Sequence, residues 1–146
     1  KLYANQFIPL PKKVPVWDRL TLQGVFDSRA QGGCILHINV DHRFRNKEQM
    51  KRLILSAVSS GVISFAVNHN IARCVNSHIS VGIYTKCPEC GSKIISNRTR
   101  VVGFNTEVSD WHKIRREEYK LRHFYNFTDE DPEEGFPEEM EATHAS

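Results

Sequence analysis

The hydrophobic pattern in the first half of the chain predicts a strand, a helix and a second strand in succession. Residues 34–40 (CILHINV) form a β-rich run after two glycines, which is typical of a strand. Over residues 47–60, with Asp41 as a nearby candidate N-cap, apolar positions recur at helical spacing: Met50, Leu53, Ile54, Ala57 and Val58. Gly61 predicts the end of this helix, and residues 62–67 (VISFAV) predict a buried strand. This order favours a parallel strand pair with a right-handed crossover.

The segment before this unit carries a weaker pattern. Residues 6–10 (QFIPL) predict a short strand that ends at proline. Residues 12–32 mix proline, glycine and charged positions, which predicts a loop or a short amphipathic turn around Trp17 and Leu20. A single strand–helix–strand unit is too small to form a complete parallel sheet with both faces covered. Because the chain also begins at Lys1, we expect a piece of a longer protein.

The second half of the chain is more polar. Residues 98–110 predict a loop around Gly103. Residues 111–124 predict a helix, whose candidates for burial are Trp111, Ile114, Leu121 and Phe124. Residues 128–146 include two prolines, eight acidic residues between Asp129 and Glu141, and no Lys or Arg, which predicts a disordered acidic tail.

Charge and composition narrow the class of protein. The net charge is +3, but all 20 Lys and Arg residues precede the acidic tail, so the body of the chain is strongly basic. Such a body can attract partners that carry phosphate, although a solvated face or a surface that docks on the rest of a larger protein explains it as well. No apolar run approaches the roughly 18 residues that cross a membrane. We therefore expect a soluble, cytoplasmic protein.

Three of the four cysteines lie in a pattern with metal-ligand spacing. The pattern is Cys74-x3-His78-x8-Cys87-x2-Cys90, and a glycine follows the last cysteine. Two thiolates two residues apart can chelate one ion, and the second pair completes a tetrahedron. Soft thiolates with one imidazole favour Zn²⁺, and four protein ligands leave no open position for catalysis. The pattern therefore predicts a structural zinc site in a small ribbon.

Other interpretations of these side chains stay open. His69 competes with His78 as the fourth ligand, although it lies outside the tight spacing. Buried free thiols are one alternative, and a redox-active CxxC pair is another, but the strand-to-helix context of a redox pair is missing. Cys34 lies in an apolar run and is typical of a small core residue.

Beyond the cysteines, the chain contains a glycine motif and then a tryptophan helix. The motif RVVGF covers residues 100–104, VSDW covers 108–111 and RREEY covers 115–119. A zinc knuckle followed by these segments resembles the C-terminus of anaerobic (class III) ribonucleotide reductases. The segments LYANQFIPL and QGGCILHINV also resemble late segments of that family's barrel, so the resemblance covers roughly residues 1–125.

The resemblance implies an α/β fold. The chain would be the C-terminal portion of a ten-stranded α/β barrel of the glycyl radical enzyme type, with a small zinc-ribbon module and a glycyl radical loop. Residues 1–67 would hold late barrel strands and a helix, and residues 68–97 the zinc-ribbon module. Residues 98–127 would hold the radical loop and the C-terminal helix, and residues 128–146 the acidic tail.

The resemblance also implies a radical mechanism. Gly103 would carry a stable radical on its α-carbon, which an S-adenosylmethionine-dependent iron–sulfur activase installs. The radical would pass to a thiyl cysteine that we expect upstream of this chain, and the whole enzyme would reduce ribonucleotides to deoxyribonucleotides. The implied partners are the rest of the reductase barrel, the activase, a ribonucleotide and a second copy in a homodimer. The chain departs from the family at Glu107, His112 and Ile114, where Pro, Asn and Gly are usual.

Two further hypotheses compete with this one. The first is a zinc-ribbon module that binds nucleic acid or protein through its basic body, although its cations are not interleaved with aromatic residues in a stacking pattern. The second is a stand-alone glycyl radical subunit that shares Gly103 but has no evident need for zinc. For Gly103 alone, the simplest alternative is an ordinary turn glycine.

Overall fold

The described strands form two sheets, and the helices pack against or follow them. The computed structural model describes residues 6–101 and 103–127. Its helices α1, α2 and α3 span Val16–Asp27, Lys47–Ser59 and Lys113–Leu121, with a 3₁₀ turn at Val108–Asp110. Its strands β1 to β6 span Leu36–Val40, Phe65–His69, Ile71–Cys74, Ile79–Val81, Ile94–Arg100 and Asn105–Glu107. One sheet is the pair β1–β2, and the other has the order β4-β3-β5-β6.

The predicted strand–helix–strand unit is confirmed. Strands β1 and β2 pair in parallel from Leu36↔Phe65 to Val40↔His69, and α2 connects them. Side chains alternate across a strand, so one set of β1 positions packs on the helices while His37 and Asn39 face the other way. The buried core combines that set with residues of α1 and α2: Val16, Leu20, Leu36, Ile38, Val40, Leu53 and Ala57.

Helix α1, with 12 residues, lies where a loop or a short amphipathic turn around Trp17 and Leu20 was predicted, so that prediction was wrong. Gly24 weakens the helical pattern in sequence, but it is needed for packing. A Cβ at Gly24 would lie 1.5 Å from the Ser60 carbonyl oxygen, so α1 and the end of α2 approach closely only with glycine there. The buried Arg19 adds long-range contacts that no local pattern reveals, because it donates to the carbonyl oxygens of Ile8 and Pro9.

The strand predicted at residues 6–10 is also absent. These residues form bends and a turn, closed by the Lys12 amide, which donates to the Pro9 carbonyl oxygen at 3.0 Å. The Gln6 side chain, instead of the backbone, bonds to β1: Oε1 accepts from the His37 amide and Nε2 donates to the Ile35 carbonyl oxygen. The Gln6 side chain therefore forms hydrogen bonds with backbone groups at the start of β1, and it adds no strand to the sheet.

The ends of α2 were predicted in part. The helix stops before Gly61, which has φ of 77°, as expected for a glycine that ends a helix. The N-cap is Asn46, whose Oδ1 accepts from the Gln49 amide at 2.9 Å, so the expectation for Asp41 was wrong. The Asp41 amide instead donates to the carbonyl oxygen of Tyr125. Tyr125 forms an isolated parallel bridge with Val40, the last residue of β1.

The region from residue 98 to 124 is more ordered than a loop followed by a helix. Strand β5 continues to Arg100 and pairs with β6, so the predicted loop shrinks to the turn between them. Helix α3 is confirmed, and Trp111 before it is buried. The expectation for Ile114 and Leu121 was wrong, since they are 53% and 56% exposed. The helix turns Glu118 and Tyr119 inward instead, because each has a specific polar partner.

The acidic tail over residues 128–146 lies outside the described residues. Among the helices that the structure describes, none is long and apolar enough to cross a membrane.

Candidate functional site

Two tight turns bring the Cys/His pattern together. In the first, the Cys74 amide donates to the His78 carbonyl oxygen at 3.1 Å, and Ser77 adopts a φ of 65°. In the second, the Cys87 amide donates to the Ser92 carbonyl oxygen and the Gly91 amide to the Cys87 carbonyl oxygen, each at 2.8 Å. Gly91 has a φ of 68°, which a residue with a side chain rarely adopts.

The four side chains form a cluster of the size that one metal ion requires. The ligand atoms of Cys74, His78, Cys87 and Cys90 all lie within 4.8 Å of one another. The Cys74 and Cys90 sulfurs are 3.8 Å apart, and the Cys87 sulfur is 3.8 Å from His78 Nδ1. Two sulfurs bound tetrahedrally to one zinc ion, at about 2.3 Å each, lie about 3.8 Å apart. The donor set therefore fits a tetrahedral metal ion, and His69 is not part of this cluster.

The surroundings of Cys90 favour the ligating form of its thiol. The Ser92 hydroxyl and then the Ser92 amide hydrogen-bond to the sulfur and lower the pKa of Cys90 to about 5. Asn76 Nδ2 is a further donor at 3.5 Å. Hydrogen bonds with Cys90 and Cys87 raise the pKa of His78. A thiolate at neutral pH is the species that binds a metal.

The predicted glycine loop connects β5 to β6. The strands are in register up to Arg100↔Asn105, so residues 101–104 form the connection. The Val101 amide donates to the Phe104 carbonyl oxygen at 3.2 Å, which closes the turn. Gly103 is exposed, and the Phe104 side chain beside it is 78% exposed. The loop therefore presents a glycine and a large apolar side chain together at its tip.

Conformation does not explain the glycine at position 103. Gly33, Gly61, Gly82 and Gly91 have positive φ values, but Gly103 does not. No heavy atom of the described residues, its chain neighbours aside, lies within 4 Å of the place a Cβ would take at Gly103. Neither the backbone nor the described neighbours of Gly103 therefore exclude a side chain at this position.

The base of the loop lies near the polar face of β1. On that face Asn68 Nδ2 lies 3.1 Å from His37 Nδ1 and donates to Asn39 Oδ1 at 3.2 Å. Burial lowers the pKa of His37, the hydrogen bond from Asn68 opposes this shift, and the cations of Arg100 and Arg122 add to it. Arg122 is also buried and donates to the carbonyl oxygen of Arg100, the last residue of β5, and it was not predicted from the sequence. The four-residue spacing between Glu118 and Arg122, which is typical of an ion pair on a helix, was the feature of the sequence that could have indicated it.

The sequence model of one family, described as anaerobic ribonucleoside-triphosphate reductase, matches residues 1–125. The chain belongs to the anaerobic ribonucleoside-triphosphate reductase family. The resemblance seen in the sequence is thereby confirmed over the same range of residues. A search of curated proteins finds no match.

Solved structures of anaerobic ribonucleotide reductases share the fold. One, described only as an anaerobic ribonucleotide reductase, is 34% identical, covers 87% of this chain and 20% of its own, and has a TM-score of 0.73. The Thermotoga maritima anaerobic ribonucleotide reductase with glycerol in the active site is 30% identical over 82% of this chain and 19% of its own, with a TM-score of 0.62. The same enzyme in complex with dATP and CTP is 30% identical over 83% and 19%, with a TM-score of 0.60.

The chain spans about a fifth of the length of these anaerobic ribonucleotide reductases. Its described part is a mixed α/β structure similar to a region of theirs, and a Cys/His cluster that can hold a metal ion lies within it. The remaining cysteine, Cys34, is half-buried before β1 and is not part of the cluster.

Proposed function

We propose that this chain carries the glycyl radical site and a structural zinc site of an anaerobic ribonucleotide reductase. The whole protein would reduce ribonucleotides to deoxyribonucleotides in the cytoplasm. The observation that carries the proposal is Gly103, a loop-tip glycine without a conformational reason to be glycine, in a chain of this family. The radical chemistry of glycine would explain why this position is glycine.

The chemistry of Gly103 is the loss of one hydrogen atom from its α-carbon. An unpaired electron on that carbon is delocalised onto the amide nitrogen on one side and the carbonyl group on the other when the three are coplanar. A side chain would crowd that planar arrangement. The hydrogen atom goes to the radical that a separate S-adenosylmethionine-dependent iron–sulfur activase generates. Within the described part of the chain, the loop tip that carries Gly103 is exposed.

The glycyl radical would act through a cysteine elsewhere in the reductase. That cysteine would give up its thiol hydrogen, and the resulting thiyl would take the 3′ hydrogen of the ribose. The 2′ hydroxyl then leaves as water, and formate or a thiol system supplies the reducing equivalents. A radical of this kind must be kept from water and oxygen, so the apolar Phe104 at the loop tip suits a pocket in the rest of the protein.

The metal site supports the loop through the strand that they share. Cys74, His78, Cys87 and Cys90 would hold Zn²⁺ in a closed tetrahedron, where the ion's contribution is structural. Strand β5 begins shortly after Cys90 and ends at the glycine loop. Fixing the Cys87–Cys90 turn therefore fixes the start of the strand whose end carries Gly103.

Each segment of the chain would have its own part in the whole reductase. Residues 1–67 would complete a ten-stranded α/β barrel, residues 68–97 would form the zinc ribbon, and residues 98–127 would carry the radical loop and C-terminal helix. The partners would be the rest of the barrel, the activase, a ribonucleotide and a second copy in a homodimer.

Electron paramagnetic resonance tests the radical directly. The full-length protein is incubated without oxygen with the activase and S-adenosylmethionine, beside a Gly103→Ala variant. A glycyl radical keeps one α-hydrogen, so we expect a doublet from the wild type and no glycine-type doublet from the variant. Since a Cβ at position 103 meets no atom of the described residues within 4 Å, its chain neighbours aside, the variant should fold normally, which circular dichroism checks.

A negative result would have a definite meaning. If a folded, zinc-loaded wild type gives no doublet with an activase that is active on another substrate, Gly103 is not a radical site. The binding-module hypothesis would then gain support, and its signature would be nucleic-acid binding that falls steeply with salt.

A further inference from the structure

Arg122 lies buried at the base of the glycine loop. It follows the last residue of α3, and only 7% of its surface is exposed. A buried guanidinium carries a large desolvation cost unless charge and hydrogen bonds offset it. The hydrogen-bond and charge partners of Arg122 therefore have to offset this desolvation cost.

Glu118 balances the charge of Arg122. Arg122 Nε donates to Glu118 Oε1 at 2.8 Å, and Nη2 donates to Oε2 at 3.0 Å. This is the two-pronged geometry that arginine forms with a carboxylate and that lysine cannot reproduce. Glu118 is itself 6% exposed, so the pair is fixed within the protein and screened from solvent.

The remaining prong of Arg122 reaches the strand that carries the loop. Nη1 donates to the Arg100 carbonyl oxygen at 3.0 Å. Arg100 is the last residue of β5, immediately before residues 101–104. A charged donor thus holds the backbone at the point where the chain leaves the sheet to form the loop.

Arg122 also contacts the segment that follows the loop. Its guanidinium carbon lies 5.2 Å from the centre of the Trp111 ring, a cation–π contact. Trp111 Nε1 donates to the hydroxyl of Thr106, which is in β6, at 2.8 Å. One side chain therefore connects the strand before the loop, through Arg100, with the strand after it, through Trp111 and Thr106.

We infer that Arg122 is a positioning residue that clamps both sides of the glycine loop and so fixes where Gly103 is presented. The inference rests on the proposed function, because it assigns the clamp to the radical site. Arg122 does not touch Gly103. It acts through the Arg100 carbonyl group and the Trp111 ring, and it limits how far the two strands can separate.

Two substitutions test the clamp, and a third is a matched control. In Arg122→Lys the charge remains, but a single ammonium group cannot hold both Glu118 oxygens and the Arg100 carbonyl group together. Glu118→Gln keeps the arginine but removes the carboxylate that orients it. Arg115→Lys is the control, because Arg115 lies on the same helix with Nη1 4.0 Å from Glu118, has a partly exposed side chain, and has no described bond to the loop.

The first readout needs no activase. Trypsin cleaves after Arg100, and the carbonyl group of that bond is the one that Arg122 holds. We expect the full-length Arg122→Lys protein to be cut at this bond about tenfold faster than the wild type, with a smaller increase for Glu118→Gln. Mass spectrometry of the fragment that ends at Arg100 measures the rate, and Arg115→Lys should match the wild type.

The second readout is the radical itself. The doublet intensity per folded, zinc-loaded protein should fall about tenfold in Arg122→Lys and should stay at the wild-type level in Arg115→Lys. Loss of general stability would instead lower the folded fraction, which circular dichroism and zinc content measure separately. If Arg122→Lys does not fold, Glu118→Gln carries the same comparison.

The outcomes separate the inference from the proposed function. A wild-type doublet that persists in folded Arg122→Lys, with no faster cleavage after Arg100, overturns the clamp and leaves the radical site standing. A wild type without a doublet overturns the radical site, and the clamp's link to it falls with it. The cleavage rate would then still show whether Arg122 holds the loop.

Discussion

At the scale of single residues, some glycines of the chain are required by their backbone conformation or by close packing, whereas Gly103 is not. Gly91 has a positive φ and turns the backbone beside the Cys/His cluster that can hold a metal ion. Gly103 has neither a positive φ nor a described neighbour that a Cβ would meet, its chain neighbours aside. The contrast explains why substitution at Gly103 tests chemistry cleanly, whereas substitution at Gly91 would mix chemistry with backbone strain.

The cysteines allow a prediction at the same scale. Cys90→Ser replaces a sulfur ligand whose pKa is lowered to about 5 with a hydroxyl that does not ionise at neutral pH. We expect zinc per chain to fall from about one to well below half, because one of four ligands is lost. Elemental analysis after gel filtration measures the zinc content.

Cys34→Ser is the matched control for this change. Cys34 is a free thiol that is not part of the ligand cluster, so its loss should leave the zinc content unchanged. Equal loss of zinc in both variants would argue against the four-ligand site.

At the scale of elements, helix α1 shows how packing decides what local sequence does not. Proline before the helix and glycine within it favour a loop, yet Gly24 lets α1 approach the end of α2. Strand β1 and helix α2 were predictable because their apolar residues repeat at a clear period. Helix α1 depends on Arg19 contacts and on the close approach to Ser60, which involve residues distant in sequence.

In the candidate site, too, contacts between residues near in sequence were predictable and contacts between distant residues were not. The Cys/His cluster was predictable because its four side chains come from two short turns with fixed spacing. The Arg122 clamp was not, because its bond to Arg100 joins residues 22 positions apart. Local spacing reveals the Glu118 pair alone, which is common on exposed helices and does not indicate burial.

Gly24→Ala tests the packing of α1 on α2. Helix propensity alone would favour alanine by about 1 kcal/mol. The Cβ would lie 1.5 Å from the Ser60 carbonyl oxygen, so we expect the free energy of unfolding to fall by on the order of 3 kcal/mol. Urea denaturation of the full-length protein measures it.

Gly32→Ala provides the comparison for that experiment. Among the described residues, chain neighbours aside, no atom lies within 4 Å of a Cβ at Gly32. Its φ is not positive either, so the change should stay within about 0.5 kcal/mol. A Gly24→Ala protein as stable as Gly32→Ala would mean that the two helices can separate at no cost.

At the scale of the whole molecule, one antiparallel sheet joins the metal site to the glycine loop. Strand β3 ends at Cys74 and pairs with β5, which begins at Ile94, shortly after the Cys87–Cys90 turn, and ends at Arg100. Tyr119 of α3 donates to Asn70 just before β3, at 2.8 Å, so the helix is fixed to the same sheet. Order at the metal site should therefore extend to the loop.

Metal removal tests this connection. We expect chelation of zinc from the full-length protein to speed trypsin cleavage after Arg100 several-fold, because β5 loses its fixed start. Adding zinc back should restore the slow rate. Unchanged cleavage in metal-free protein would show that the β3–β5 pairing holds the loop without the ion.

The parallel strand pair has a consequence for handling the chain by itself. Tyr125 forms a parallel bridge with Val40, so the end of β1 has backbone partners on both sides. Among the described strands, β2 pairs only with β1. An unpaired strand edge is a template for joining another chain. Chains produced in isolation should therefore tend to self-associate through β2, and in a larger sheet the same edge is where the next strand would attach.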